Sequence, residues 1–560
     1  MKTDLSCRTS VAIVGAGPNG VAMANMLGLY GVDTVVIEKE ARIVEFPRAV
    51  GIDDEALRLF QTAGLADELS RDIIQNVPLR MFKANGVCFA DIRPSVREFG
   101  WWRRNIFMQQ LAEKTLRQGL ERYPHVQLRT CEELVHLEQD AQGATLRVRR
   151  DDGESYTLRA DYVVAADGGR SPTREMLGVK LAGTTHPIKW VVVDVKNADL
   201  EQPCTALNCD PRRPNVCIYL PFNFRRWEFL VFPHEDEEAI ARPESVRKLI
   251  APYVGNVENV EIVRARTYTH HSRVAERLLV GRVALVGDAA HLTPPWIGQG
   301  LNAGLRDVGN LAWKLAGVVK GTLRTDVLAT YESERRGHVK AMIDLADTFG
   351  AMLMPTRKSV AFLRDCFFDL ARCAPGLRSY LLQMRFKPMP RYTNGVALAG
   401  RSGTTSAIGA TGTMGSRGTI GSIGTMIVQP DVETADGMRR KLDDVLGPWF
   451  SLVGWRCDPQ AFLSAADRAY WAALGAKFVQ VNRSRSGACR ERRVTSAFDT
   501  ECVEDVDNAM ADWFEKYPGP LVLVRPDRYV AAQTDAAGIG DMTAAFQAFA
   551  PRQPETAHVC

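Results

Sequence analysis

None of the twelve cysteines is paired as C-x-x-C, and they form no compact framework. That argues against a dithiol redox site, and Cys131, Cys204, Cys209 and Cys217 lack the spacing of a structural zinc set, so no metal is expected. Scattered free thiols suit a reducing compartment. Long apolar runs are missing too: none approaches the ~18 residues a membrane span needs. The start, Met1-Lys-Thr-Asp-Leu-Ser6, is polar and leads straight into a strand-like run, so a signal peptide is not expected. A cytoplasmic protein without a membrane partner follows as an expectation. Charge of one sign is scarce as well. The net +4 over 560 residues is too small to argue for nucleic acid, and the single basic-aromatic cluster Trp101-Trp102-Arg103-Arg104 suits packing and cofactor anions better.

What is present is a set of three strand-terminal motifs. Val11 to Gly20 (VAIVGAGPNG) carries Gly15, Gly17 and Gly20 between an apolar strand and a helical segment, Val21 to Tyr30. The run Thr34 to Glu38 then reads as a second strand ending in an acid, followed by Lys39. Glycines there let the backbone turn and approach a pyrophosphate on the helix N-terminus. Glu38 can accept from ribose hydroxyls and would repel a 2′-phosphate, so FAD or NAD fits better than NADP. The second motif is a strand that ends at Asp167-Gly168. The third, Arg282 to Val286, ends at Gly287-Asp288 and feeds a Pro/Gly loop and a helix with an apolar stripe at Leu301, Leu305, Val308, Leu311 and Leu315. Asp288 can accept hydrogen bonds from a polyol chain, and the helix N-terminus favours a group gaining negative charge.

The order and spacing of these motifs resemble the class A flavoprotein aromatic hydroxylases, the 4-hydroxybenzoate hydroxylase type, over about residues 10 to 350. The segments Phe46 to Arg58, Phe99 to Arg104, Tyr268-Thr-His270, Arg335-Arg336 and Arg385 to Pro390 look like the branch acting on 3-(3-hydroxyphenyl)propionate, over nearly the whole chain. The resemblance implies an α/β fold: a Rossmann-like FAD domain in two parts (1–185 and 271–395), an inserted antiparallel β substrate domain (186–270), a Gly/Ser/Thr-rich linker (396–425) and a thioredoxin-like C-terminal domain (426–560). For that last domain, packing or oligomerisation is the expected role, and a homodimer is one expectation.

The resemblance further implies FAD, with NADH as electron donor (NADPH kept open) and O2 as co-substrate. The expected chemistry is ortho-hydroxylation of 3-(3-hydroxyphenyl)propionate, and of 3-hydroxycinnamate, through a flavin C4a-hydroperoxide to the 2,3-dihydroxyphenyl acid. It places Arg48 and Gln109 at the flavin, and Gly298, Gly300, Leu301 and Asn302 in the loop beneath it with backbone N–H groups presented, the Pro295 carbonyl taking the proton side. Tyr268 and His270 are candidates for phenol deprotonation, although a satisfied core histidine is an equal reading of His270. Arg225 or Arg226 could bind a carboxylate, but adjacent strand residues face opposite ways, so at most one would. Two departures stand out: Gln109-Gln110 replaces a frequent Gln-Pro, and the Gly/Ser/Thr stretch is longer than usual. A hydroxylase of another phenol, a halogenase or oxidase on the same scaffold, and a redox-inert docking protein are the alternatives. The W-x-W-x-I-P motif usual in such halogenases is absent.

Overall fold

The computed structural model describes residues 7–46, 48–198, 203–372, 376, 380, 382–384, 387–398, 421–484 and 498–550. Pro47, Arg385, Phe386, Cys489 and most of the Gly/Ser/Thr stretch (399–420) lie outside them. The chain divides into two units. The first comprises 1–97, 101–308 and 335–388, and the second 98–100, 309–334 and 389–560.

The first unit holds a parallel sheet in the order Val126–Thr130, Thr34–Glu38, Cys7–Val14, Ser155–Ala165, Val283–Leu285, with Leu279–Val280 antiparallel at one edge and a hairpin, Glu132–Gln139 and Ala144–Arg150, running on from Ser155–Ala165. Its inner strands read as continuous apolar runs because helices and loops cover both faces, and Val11, Ala12 and Ile13 are wholly buried. Register explains the motifs. Val14 pairs with Ala165, and Ala165 with Leu285, so Gly15, Asp167 and Gly287-Asp288 all emerge side by side at the carboxyl ends of adjacent strands.

A second sheet has the order His291–Leu292, Glu261–Ala275, Leu181–Lys196, Phe224–Val231, Asn215–Leu220, Thr205–Asn208, Leu79–Phe82, Cys88–Ile92. It is antiparallel except between Thr205–Asn208 and Leu79–Phe82. It is therefore wider than residues 186–270: two strands come from about a hundred residues upstream, and the long strands run from Leu181 and to Ala275. Even-numbered residues of the two long strands share one face: Trp190 lies opposite Tyr268, Val192 opposite Arg266 and Asp194 opposite Arg264, while Asp194 also faces Arg226. The odd-numbered Val191, Val193 and Val195 pack with Trp227 and Phe229 in a separate core on the other face.

The stretch Asp53 to Leu69 reads from sequence as one helix but forms two, Asp54–Thr62 and Ala66–Ser70. Asp53 caps the first by accepting from Ala56 N at 3.0 Å. Gly64, at φ +69°, ends it with the Leu65 amide bonded back to Phe60 O, a left-handed stop that glycine supplies without strain.

The second unit contains a seven-stranded sheet, Arg439–Lys441, Asp431–Thr434, Glu501–Asp505, Lys477–Arg483, Ser451–Trp455, Leu521–Val524, Val530–Thr534. Leu521 to Ala532 forms a hairpin, turning at Arg525 to Tyr529, with Arg528 at φ +68°. Among the described residues no helix is long and apolar enough to cross a membrane.

Candidate active site

The first glycine loop is built for close approach. A Cβ on Gly15, already at φ +100°, would lie 2.5 Å from Ala166 O, and one on Gly20 would lie 1.9 Å from Gly15 O, so neither position accepts a side chain. Gly17 differs: a Cβ there would meet nothing within 4 Å. Its freedom is toward open space, where a phosphate has room against the N-terminus of the helix Pro18–Leu29. Glu38 braces this loop, accepting from Ala16 N at 2.7 Å and Glu40 N at 2.9 Å. Lys39 is exposed beside Glu40.

Three side chains that sequence reasoning missed clamp the motifs together. Asn19 is a wedge: Cβ atoms on Gly287 and Gly304 would lie 2.1 and 2.2 Å from its Nδ2, so those glycines exist as sockets for it. Asp307, fully buried on the helix Gly300–Val319, accepts from Gly287 N at 3.0 Å, from His291 Nε2 at 2.7 Å and from Arg335 Nε at 2.8 Å. That network spends His291 on structure. The Asp307 carboxyl is held below its usual range, because His291 and Arg335 outweigh the burial that opposes them. Arg174 donates to Ala289 O and Gly169 O, both at 3.1 Å, tying the Asp167 turn to the Asp288 turn. The polar pair Arg306-Asp307 inside an otherwise apolar stripe was the available signal.

Asp288 is exposed along its side chain yet hemmed in by protein, the situation of a group lining a cleft. That crowding pushes its carboxyl up against the pull of His291 and Arg48. Asp167 accepts from Thr173 N at 3.0 Å through Oδ2, while its Oδ1 and the Oδ1 of Asn19 are buried without a partner. These orphaned acceptors, the open side of Gly17 and the free first turn of the helix at Gly300, Leu301 and Asn302 match the donors and anions of a dinucleotide flavin.

The loop above that helix is tied down by hydrogen bonds. Asn302 accepts from Asp53 N at 3.1 Å and donates to Gly298 O at 2.8 Å and Gly51 O at 3.3 Å. Pro295 O accepts from Gly298 N at 2.9 Å, closing a turn with Gly298 at φ +63°, so only its second lone pair is open to another donor. Gln109 accepts from Ala49 N at 2.8 Å and fixes the segment that carries the exposed Arg48.

Behind the loop lies a buried charge cluster. Arg306 pairs with Asp53 and, at 2.7 Å, with Glu55. Lys387 reaches Asp53 at 2.9 Å and Glu55 at 3.2 Å, and Arg306 also donates to Gln299 at 3.1 Å. Asp54 is left with Arg103 at 3.9 Å, and burial pushes its carboxyl up to about 7. A carboxyl raised in the folded state adds stability below the unfolded value near 4 and loses that contribution as pH rises through 7. Replacing Asp54 by Asn removes the titration. We expect the thermal midpoint of Asp54→Asn to gain on the parent between pH 5 and pH 8, with equal slopes over that range as the contrary result.

On the even-numbered face of the second sheet, Trp190, His270 and Trp296 pack as a box. Trp190 and His270 stack at 6.1 Å, while Trp296 meets them edge-on at 4.8 and 5.4 Å. Gly350 makes space for it, since a Cβ there would fall 2.5 Å from the Trp296 indole nitrogen. Burial, aided by His186 and His271, pulls His270 down to about 4. A phenol near pKa ~10 would transfer its proton to such a group uphill by ~6 units, so the geometry favours His270 as a neutral wall rather than a base. Tyr268 is partly exposed and accepts from Arg264, whose guanidinium lies 3.5 Å from the centre of the Phe46 ring.

Neither arginine expected at a substrate carboxylate is spare. Arg226 is bidentate to buried Asp194 at 2.8 and 3.0 Å and gives its remaining nitrogen to Arg48 O at 2.7 Å. Arg225 points to the opposite face, over the Tyr219 ring at 4.5 Å. Arg266 is exposed on the even-numbered face, two residues from Tyr268, and makes no hydrogen bond, ion pair or ring contact with the described residues.

Residues 8–346 match the FAD binding domain family, and residues 424–549 match the HcaD C-terminal domain. The chain is 76% identical over 560 residues to a 3-(3-hydroxy-phenyl)propionate/3-hydroxycinnamic acid hydroxylase of Burkholderia cenocepacia, covering 100% of both. It is 40% identical over 549 residues to a protein of the same name from Klebsiella pneumoniae, covering 98% of this chain and 96% of the relative. Among solved structures, it is similar to the flavin-dependent monooxygenase PieE in complex with FAD and substrate (TM-score 0.77, 24% identity, 97% and 98% of the two chains), which shares the fold. It is also similar to the OxyS anhydrotetracycline hydroxylase from Streptomyces rimosus (TM-score 0.74, 25% identity, 98% and 100%).

Proposed function

Because this chain belongs to the FAD-binding-domain flavoprotein hydroxylases, in the branch of the 3-(3-hydroxyphenyl)propionate/3-hydroxycinnamic acid hydroxylases, we propose that it hydroxylates those two acids ortho to the existing phenol. One O2, one NADH and one proton are consumed per turnover, giving the 2,3-dihydroxyphenyl acid, water and NAD+. The carrying observation is the convergence of Gly15, Asp167 and Asp288 at adjacent strand ends. Gly15, Gly17, Gly20 and Glu38 would hold the ADP portion of FAD and Asp288 its ribityl chain. Arg48, Gln109 and the Pro295 to Asn302 loop would border its ring. Bound and reduced by NADH, FAD supplies the two electrons that let one oxygen atom of O2 enter the ring while the other leaves as water.

The protein's share is orientation, exclusion of water and proton handling. Trp190, His270 and Trp296 would wall the phenol ring, with Tyr268 the candidate to exchange a proton at the phenol oxygen. The carboxylate needs an unspent cation, and Arg266 fills that role in place of Arg225 or Arg226. It lies about 13 Å along the strand from His270, within reach of a propionate arm and an extended guanidinium. For the C-terminal unit we read a thioredoxin-like core, supported by the sheet order Val530–Thr534, Leu521–Val524, Ser451–Trp455, Lys477–Arg483 with only the last pair parallel. Without a C-x-x-C pair it has no dithiol chemistry.

The test is substrate-stimulated NADH oxidation with product analysis across phenol, 3-hydroxybenzoate, 3-hydroxyphenylacetate and 3-(3-hydroxyphenyl)propionate, in the parent and in Arg266→Met. The propionate should be the strongest effector and yield the 2,3-diol. Loss of one charge-assisted pair, about 1.5–3 kcal/mol, should raise its KM by roughly 10- to 100-fold in the variant and leave phenol nearly unaffected. A propionate that is neither best effector nor converted would overturn the substrate reading, and an unchanged KM in Arg266→Met would overturn the role of Arg266 alone.

A further inference from the structure

Of the three rings in the aromatic box, Trp190 and His270 stand on strands of the second sheet, whereas Trp296 stands on the flavin-side loop, in the short turn Pro295–Ile297. Trp190 and His270 are buried and parallel to within 12°, with centroids 6.1 Å apart, the separation of rings already in contact, so no third ring enters between them. The half-buried indole of Trp296 closes their edges at 77° and 85°. The box is thus filled, and a phenol would lie beside it, against the indole. A socket holds that indole in place. Gly350, on the helix Ala329–Leu353, has no left-handed φ, and its carbonyl accepts from Met354 N at 3.1 Å, so the backbone there does not call for glycine. Space does: the three atoms nearest to a Cβ would all belong to Trp296, at 2.5, 2.8 and 2.9 Å. Phe349 and Leu353 to either side are locked into the core beneath the second sheet, so the helix cannot back away.

We propose that Trp296, seated by Gly350, is the residue that restricts this enzyme to phenols of a single ring. The inference rests on the substrate reading above and deepens it. With the phenol oxygen at the Pro295 carbonyl, the carboxylate at Arg266 and the carbon between hydroxyl and side chain turned to the flavin, three neighbouring ring positions are committed. The opposite edge of the ring is left to face the box. A second ring fused on that edge needs the volume that the indole occupies, and the indole, wedged among Trp190, His270 and Gly350, has nowhere to retreat. Exclusion of this kind works by clash, so it discriminates against the wider substrate without strengthening the hold on the right one. The length of the acid arm is a separate matter, decided at Arg266.

The experiment compares 3-(3-hydroxyphenyl)propionate with its two naphthol counterparts, 3-(4-hydroxynaphthalen-2-yl)propionate and 3-(3-hydroxynaphthalen-1-yl)propionate, which carry the fused ring on either half of that edge and leave the reacting carbon free. Binding is measured by calorimetry and turnover by NADH oxidation with product analysis, and FAD content is recorded for each variant. The parent should bind and oxidise the phenyl acid and reject both naphthols. Trp296→Ala should take at least one naphthol with kcat/KM about tenfold or more above the parent, and Trp296→Phe, the milder change, should fall between. Gly350→Ala, which drives the indole outward, should raise KM for the phenyl acid about tenfold with kcat less affected, and should add nothing once Trp296 is alanine. Four results overturn the role of Trp296 while leaving the substrate reading intact: a parent that accepts a naphthol, Trp296 variants that retain FAD and still reject both, an unchanged KM in Gly350→Ala, or a Gly350→Ala effect that persists without the indole. A parent that ignores the phenyl acid overturns the substrate reading and this inference with it.

Discussion

Gly17→Ala should give a folded protein with little or no bound FAD. A methyl group at this position meets nothing within 4 Å, and the residue's φ of −69° is ordinary for alanine, so the polypeptide alone has no reason to resist it. The open space is where the pyrophosphate must approach the helix N-terminus, and a methyl standing there separates phosphate from the amide donors. We expect FAD affinity to fall by 100-fold or more, about 3 kcal/mol, with the apoprotein's thermal midpoint unchanged. Gly20→Ala is the contrast: its Cβ would lie 1.9 Å from Gly15 O, so both FAD binding and stability should suffer. If Gly17→Ala binds FAD like the parent, the pyrophosphate lies elsewhere and the assignment of this loop is wrong.

Arg525→Met should produce the largest loss of stability of any single change considered. Arg525 is completely buried in the second unit, donates to both oxygens of Glu334 at 2.8 Å and pairs with Asp527 at 2.6 Å. Trp313, Tyr392 and Tyr529 lie 5.2, 5.1 and 5.7 Å from its guanidinium. Lys314, also buried, reaches Glu334 at 2.8 Å, and burial pulls its amine down to about 8 despite that partner. Two cations therefore balance two anions. Removing one leaves a net negative charge without water, typically costing about 3–5 kcal/mol, or on the order of 10 °C in the midpoint of a unit this size. Glu334→Gln added to Arg525→Met removes the surplus charge and should recover part of the loss. A midpoint within 2 °C of the parent, by calorimetry, would mean water or another cation reaches Glu334.

The sequence makes the three cofactor motifs legible because each is local chemistry: a strand, a glycine or acid, a helix start. It also shows Asn302 and Gln109, whose side chains fasten backbone segments as well. What it conceals depends on register between distant strands. Nothing around Arg226 announces that Asp194, 32 residues upstream, will consume it. Nothing around His270 announces that Trp190 and Trp296 will dry it and lower its basicity. Likewise, Leu79–Phe82 and Cys88–Ile92 are too short to declare that they extend a sheet otherwise formed a hundred residues later. The break at Gly64 was readable, since a glycine after a helical run is the commonest left-handed stop, and the apolar spacing on both sides masked it.

Asn19, lodged between Gly287 and Gly304, also sets a clock on biosynthesis. A ribosome that has released the first 60 residues has delivered the whole phosphate loop, yet the sockets that hold its asparagine are still unmade. At elongation rates of about 5–20 residues per second, they follow roughly 12 to 50 seconds later. Throughout that interval a nascent chain can present the glycine loop but cannot close it, so flavin capture is tied to completion of the return strand at Val283–Leu285. Chains truncated short of Gly304 should emerge from a translation reaction colourless, and yellow colour would then report that the first unit has been assembled at least as far as the helix that carries Gly304.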